Sequence, residues 1–259
     1  TELTRGTEYH TGEKQLIAAN LDTLFITSSC NNDFNPARLE RYLALAHDAM
    51  ITPVIVLTKA DQCDDQDVYV DQARLLGRDL EVIAMDAKKD DVPALLAPWC
   101  GEGQTVALAG SSGVGKTTLA NALTGGNAAT QDIREDDARG RHTTTGRSLH
   151  AMRTGGWLID TPGMRGLGVA EVAFGIDATF PEISELAETC KFRDCDHETE
   201  PGCAVQAAIE KGEIDPDRLK RFKKLKRENE QATQTIAQAR DRSRKLGKMY
   251  RSAIKKKGR

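Results

Sequence analysis

From Ile17 onward, short apolar runs alternate with segments of helical period. Asp22–Thr27 (DTLFIT), Pro53–Thr58 (PVIVLT), Leu80–Met85 (LEVIAM) and Gln104–Ala109 (QTVALA) read as strands. Between them, Pro36–Ala49 carries Leu39, Leu43 and Ala46 at helical spacing, with Asn35 as N-cap and Pro36 at the first helical position. Residues 66–76 and 91–97 read as further helices, and Lys116–Leu123 opens another. Two more strands are expected at about 147–153 and 156–160. Apolar strands alternating with helices predict an α/β domain whose parallel-rich sheet is covered on both faces.

Other stretches lack this pattern. Residues 1–14 are polar and Gly/Thr-rich, and read as a linker or the remnant of something upstream. Residues 126–145 are polar and acidic without a period, which predicts a mobile loop. Beyond Gly166 the strand–helix alternation stops. Residues 204–210 and 216–257 return to helix, the second of these polar nearly all round.

Composition changes this picture in two places. The net charge of −3 over 259 residues hides an asymmetry. Residues 217–259 hold 17 Lys/Arg against 4 Asp/Glu, a balance of +13, and the rest of the chain carries −16. A basic tail on an acidic body calls for a polyanionic partner, and nucleic acid is favoured because the tail lacks the broad apolar face that a membrane surface needs. No apolar run approaches the roughly 18 residues that cross a bilayer, and no signal-peptide shape opens the chain. Of six cysteines, Cys30, Cys63 and Cys100 are scattered, while Cys190, Cys195 and Cys203 fall within fourteen residues of one another together with His197. This usage reads as a reducing compartment with one metal site.

Gly110, Ser111, Ser112, Gly113, Val114, Gly115, Lys116 and Thr117 fit G-x-x-x-x-G-K-[ST], after a predicted strand and at the head of a predicted helix. Glycines let backbone N–H groups curl around a phosphate chain, and the helix N-terminus adds favourable partial charge. Lys116 would reach the outer phosphates, and the Thr117 hydroxyl would ligate Mg²⁺.

Thr58, Lys59, Ala60 and Asp61 end the strand PVIVLT and have the N/T-K-x-D form of guanine readers. A carboxylate there accepts from the guanine N1–H and 2-amino group, a donor pair that adenine lacks. Met85–Lys88 (MDAK) resembles the loop that touches guanine O6. Asp160-Thr-Pro-Gly163 has the D-x-x-G form, in which the Asp holds Mg²⁺ through water and the Gly N–H meets the γ-phosphate. Gly140–Thr145 (GRHTTT) offers a threonine to complete the Mg²⁺ shell. Ordinary GTPases place the guanine-reading motif after the D-x-x-G loop. Here it comes first, so the motif order predicts a circular permutation, which keeps the sheet and moves the chain ends.

Cys190-x4-Cys195-x-His197-x5-Cys203 supplies three thiolates and an imidazole, the donor set of a closed tetrahedral Zn²⁺ site. With no open position, that metal is expected to be structural and to fold its own small unit.

The permuted order, GSSGVGKTTL, GRHTTTGRSLH, LIDTPGMRGL and CKFRDCDHETEPGCAV together resemble the RsgA/YjeQ family of small-ribosomal-subunit biogenesis GTPases, over roughly Leu16 to Lys226. The resemblance implies a cytoplasmic GTPase that binds GTP and GDP, acts on the immature 30S subunit through 16S rRNA, and is stimulated by the ribosome. A monomer that engages no membrane is expected. The resemblance carries Thr58–Asp61 and Gly110–Thr118, including Thr118, to GTP, and singles out Thr144 for Mg²⁺ beside Thr117 and Asp160. Family members begin with an OB-fold RNA-binding domain, which residues 1–15 are too short to contain. The expected organisation is therefore linker or remnant over 1–15, permuted GTPase domain over 16–170, zinc-binding domain over 171–215 and basic helical tail over 216–259.

Many GTPases orient the attacking water with a Gln after the D-x-x-G glycine. Here that residue is Met164, which cannot hydrogen-bond to water. His142, beside the threonines, is the candidate instead, and the family resemblance points to the same residue. Arg141 and Arg165 are the alternatives for offsetting transition-state charge. A rival reading is an RNA-binding adaptor that uses GTP as a structural ligand with little hydrolysis, and a third is a permuted ATPase.

Overall fold

The computed structural model describes residues 1–6, 14–126, 148–160 and 168–257. A six-stranded sheet forms the centre. Its strands are β3 (Thr23–Ser29), β4 (Thr52–Thr58), β5 (Glu81–Ala84), β6 (Thr105–Gly110), β7 (Ser148–Ala151) and β8 (Trp157–Asp160), in the spatial order β5-β4-β3-β6-β8-β7. All neighbours are parallel except the edge pair β7–β8.

The apolar runs form this sheet because both faces are covered. In β3, Leu24 and Ile26 face one core while Phe25 faces the other. The first face packs against α1 (Pro36–Asp48) and α2 (Gln66–Arg74), and the second against α3 (Val92–Leu95) and α4 (Lys116–Thr124). α1 starts where the sequence places it, with the Asn35 side chain accepting from the Arg38 N–H at 3.0 Å and Pro36 in the first turn.

Two expectations need correction. Glu2–Gly6, polar and read as a linker or the remnant of something upstream, is a strand β1 that pairs antiparallel with β2 (Lys14–Ala19). Leu3 of β1 is 1% exposed and, with Ile17 and Ala18 of β2, anchors the hairpin in the main core. Two short helices, α5 (Ala173–Thr179) and α6 (Pro181–Ala187), lie in a stretch where no element was expected.

The C-terminal part is built onto the same core. α7 (Ala204–Glu210) and the start of α8 (Pro216–Lys257) contribute Val205, Ala208, Leu219, Phe222 and Leu225 to the cluster that holds Leu39 and Leu43. Leu219, Phe222 and Leu225, on a helix read from sequence as polar nearly all round, are therefore interior. Several tail cations have partners too. Arg218 pairs with the buried Glu40 at 3.0 Å and Arg221 pairs with it at 2.8 Å, while Lys223 meets Glu198 at 2.6 Å. The Asn229 side chain accepts from the Val172 N–H at 2.9 Å. The first turns of the basic helix are thus a buttress on α1. Among the described residues, no helix is long and apolar enough to cross a membrane.

Candidate functional site

The chain leaves β3 toward β4 on one side and β6 toward β8 on the other, so β3 and β6 flank the switch point of the sheet. In open α/β sheets ligands bind beyond the carboxyl ends of strands at this place. Gly110 closes β6 there, in register with Thr27 of β3. Its φ is +141°, and a Cβ would stand 2.2 Å from the Thr27 carbonyl oxygen. Gly113 and Gly115 follow with φ of +77° and +94°, so the chain curls before α4 begins. α4 has no side-chain cap, which fits a helix end built to receive an anion. Val114 is buried and anchors the loop from below. The Lys116 ammonium donates to the carbonyls of Gly110, at 2.9 Å, and Ser111, and so lies across the loop it serves.

The guanine-reading candidates lie on the next strand but one. Thr58 ends β4, and its hydroxyl donates to the Val114 carbonyl at 2.6 Å. This buried bond ties the turn carrying Lys59, Ala60 and Asp61 to the phosphate loop. Lys59 has φ of +57° and turns the chain into a 3-10 turn over Ala60–Gln62. The Ala60 N–H donates to the Met85 carbonyl at 3.3 Å, so the two loops read from sequence as guanine contacts adjoin. Asp61 is exposed, and Lys89 reaches it at 3.7 Å and Asp86 at 2.9 Å. The hydrogen bond from Lys89 holds the Asp86 carboxyl below the usual range.

Asp160 ends β8, on the other side of β6 from β3, so its backbone lies in the strand beside the one that feeds the phosphate loop. Gly163, Met164 and Arg165, and Arg141, His142 and Thr144 with its neighbours, fall outside the described residues. Two supporting residues were not legible in the motifs. Tyr42 of α1, 3% exposed, hydrogen-bonds the backbone of Gly110. Lys89 has only its spacing from Asp86 to mark it.

Cys190, Cys195, His197 and Cys203 converge, with one ligand atom from each lying within 4.8 Å of the others. The Cys190 and Cys203 sulfurs are 3.9 Å apart, and His197 Nδ1 is 3.6 Å from one and 3.5 Å from the other. A tetrahedral Zn²⁺ with ordinary bond lengths places sulfurs about 3.8 Å apart and a sulfur and nitrogen about 3.6 Å apart. The donor set and its spacing therefore fit zinc, bound through Nδ1. Glu200 organises the loop. Its carboxylate accepts from the N–H groups of Glu198, Thr199 and Asp196 at 2.9–3.1 Å. Those bonds, that from Glu198 first, pull its pKa down to about 2. Gln206 donates to the His197 carbonyl at 2.6 Å and fixes the ligand's backbone. The other cysteines differ. Burial raises Cys100 to about 12, which marks a thiol that serves packing.

A family model described as RsgA GTPase matches residues 1–170, and one described as 50S ribosome-binding GTPase matches residues 105–238. A small ribosomal subunit biogenesis GTPase RsgA from Mesorhizobium japonicum is 60% identical over 223 residues, which are 85% of this chain and 64% of that protein. A relative from Vibrio parahaemolyticus, named small ribosomal subunit biogenesis GTPase RsgA 2, is 50% identical over 245 residues, 94% of this chain and 68% of its own length. Among solved structures, the chain is similar to YloQ, described as a circularly permuted GTPase, with a TM-score of 0.58 and 28% identity, covering 93% of this chain and 74% of that one. YjeQ from Thermotoga maritima shares the fold, with a TM-score of 0.58 and 24% identity over 86% of this chain and 81% of its own. The chain thus spans 64% of the length of the Mesorhizobium relative.

Proposed function

The chain belongs to the RsgA GTPase family, and from that premise we propose that it binds GTP and hydrolyses it to GDP and phosphate during late maturation of the small ribosomal subunit. The observation that carries this reading is the Thr58–Val114 hydrogen bond, which couples a guanine-selective turn to a phosphate loop across the switch point of the sheet. Gly110–Thr118 would cradle the phosphates and Thr58–Asp61 the base. The Thr117 hydroxyl and Asp160 carboxylate are hard oxygen donors of the kind Mg²⁺ takes, with Thr144 completing the set. That ion would neutralise charge on the outer phosphates when bound. Gly163 would meet the γ-phosphate, and His142 would orient the attacking water.

The proposed partner is the 30S subunit, through 16S rRNA. Phe192 supports an RNA-facing role for the zinc unit. It is 42% exposed between the ligands Cys190 and Cys195, with Lys191 placed 5.5 Å from its ring centroid and Arg193 exposed beyond it. An exposed ring flanked by cations is suited to stacking an unpaired base.

Asp61→Asn tests the base. The amide loses one of two acceptors aimed at guanine and leaves ATP unaffected. GTP affinity is expected to fall by about 10²-fold with ATP affinity unchanged, as read in competition against a fluorescent GTP analogue. Equal weakening of both nucleotides would remove Asp61 from the base site.

His142→Ala tests the water. GTP affinity is expected to stay within error while turnover stimulated by 30S subunits falls by about 10²-fold, the scale of losing one positioned polar group. Met164→Ala should change turnover far less. Unchanged stimulated kcat in His142→Ala would move the role to Arg141 or Arg165.

A further inference from the structure

One ammonium group lies between the two loops read as guanine contacts. The loop after β5 is braced by its own carboxylates. The Asp86 N–H donates to Asp90 Oδ2 at 2.8 Å, and the Asp90 N–H donates back to the Asp86 carbonyl at 2.9 Å. Asp86 Oδ1 accepts from the Lys88 N–H at 3.0 Å. Asp86 Oδ2 is buried, and its partner is Lys89 Nζ, 2.9 Å away. The same Nζ stands 3.7 Å from Asp61 Oδ2 on the other loop. Among the described residues, Lys89 is the only cation within 4.0 Å of Asp61.

We propose that Lys89 is a positioning residue for base selection, tethering the Asp61 carboxylate to the braced Asp86 loop so that both of its oxygens face guanine. The proposal rests on the reading of Asp61 as the base-selecting residue.

Geometry and charge both call for such a tether. The backbones of the two turns meet in a long hydrogen bond, from the Ala60 N–H to the Met85 carbonyl at 3.3 Å, which does not reach the Asp61 side chain. Asp61 Oδ2 and Asp86 Oδ2 sit on one ammonium, so they can be no farther apart than its two contacts end to end. Like charges that close repel. Each loop adds more of the same sign, since Asp64 and Asp65 follow Asp61 while Asp90 and Asp91 follow Lys89. Without the ammonium, the Asp61 side chain is driven away from the loop that must grip the base with it. The carboxylates in turn hold the ammonium above its usual range, Asp86 foremost and Asp61 after it.

The tether does not compete with the base. At 3.7 Å the ammonium attracts Asp61 Oδ2 without forming a hydrogen bond. Both carboxylate oxygens therefore keep lone pairs for the N1–H and 2-amino group of guanine. Lys89 acts through Asp61 and touches no reacting atom. Its side chain is 73% exposed, so solvent screens the pair, and its share in base selection is expected to be about threefold.

The test measures GTP and ATP affinities on the full chain by competition against a fluorescent GTP analogue. Lys89→Met, Lys89→Arg, Asp61→Asn and the double variant Asp61→Asn/Lys89→Met are compared with the unmodified chain. GTP and ATP carry the same triphosphate, so a lysine that merely attracts phosphate shifts both alike and leaves their ratio alone. Lys89→Met is expected to lower the preference for GTP over ATP by about threefold. Lys89→Arg keeps the charge and should hold the ratio close to that of the unmodified chain. On the Asp61→Asn background, Lys89→Met should lower the ratio no further, because the two residues act as one unit. A Lys89→Met ratio that does not fall overturns the proposal. So does a Lys89→Arg ratio as low as that of Lys89→Met, or a further loss in the double variant. If Asp61→Asn itself leaves the ratio unchanged, the reading of Asp61 fails and the tether with it. If Asp61→Asn lowers the ratio and Lys89→Met does not, the tether alone is wrong.

Discussion

Removing the metal from the Cys190–Cys195–His197–Cys203 cluster is expected to unfold residues 190–203 and loosen α7 and the first turns of α8, while GTP affinity stays within about twofold. The four ligands sit on loops that make little regular structure, and the sulfur and nitrogen spacings leave the cluster stable only around an ion. Apparent binding free energies of structural zinc run to about 10–16 kcal/mol, so for such a unit the metal is most of the folding free energy. Cys203 also caps α7, its sulfur accepting from the Gln206 N–H at 3.4 Å. Loss of the cluster thus reaches Val205 and Ala208, and through them the Phe180–Phe222 contact, whose ring centroids are 5.4 Å apart. The helix behind the phosphate loop is insulated, because the second core holds Leu119 and Leu123 of α4 and nothing from the C-terminal unit. Hydrogen exchange with and without a chelator, beside nucleotide titration, reads both halves. Protein purified without chelator that holds no zinc, or a Cys190→Ser variant that retains it in full, would falsify the site. GTP affinity falling in step with zinc would overturn the insulation.

That insulation shows what a linear reading can and cannot see. The phosphate loop was legible because its chemistry is local. A strand, a glycine-rich curl and a helix end lie within one short stretch, and the residue types follow from the backbone shape that a phosphate needs. The convergence of Cys190, Cys195, His197 and Cys203 was legible for the same reason. The central strands were legible because β3 and β4 are buried on both faces and so read as unbroken apolar runs. The strand Glu2–Gly6 was not, because it owes its place to a distant core that accepts Leu3. α5 was hidden by Gly175 at its centre and by its shortness, and it persists through Ile176 and Phe180 rather than through propensity. The first turns of the basic tail were the least legible. Arg218 and Arg221 count as free cations in any composition, yet their partner Glu40 lies 178 and 181 positions away. No pattern along the chain announces such a pair. The Thr58–Val114 bond is of this kind too, so the coupling between motifs was invisible where the motifs were plain.

Gly110→Ala is expected to abolish measurable GTP binding and to lower folding stability by about 3 kcal/mol or more, the combined scale of a forced φ and an overpacked site. Two separate costs meet at this residue. Its φ of +141° is one that side chains rarely adopt, and the added Cβ would stand 2.2 Å from the Thr27 carbonyl oxygen and 3.1 Å from its carbon. A flexible side chain could swing aside, but Thr27 is backbone in the central strand. β3 pairs with β4 over its length and with β6 from Thr23 to Thr27, so relief on one side breaks hydrogen bonds on the other. The remaining escape is outward, through the loop. That route pushes on Val114, whose Cγ2 would lie 3.3 Å from the new methyl, and Val114 holds Thr58. Either response disturbs the proposed site, since the Gly110–Lys116 loop and the turn after Thr58 share this one junction. Gly103→Ala separates the two costs, because Gly103 has a positive φ of +79° with nothing within 4 Å of its Cβ. It should lose only about 1 kcal/mol and keep its affinity for nucleotide. Urea denaturation and titration with a fluorescent GTP analogue compare the pair. Equal midpoints and equal affinities in the two variants would mean that the Thr27–Gly110 junction can give way, and that the loop does not depend on it.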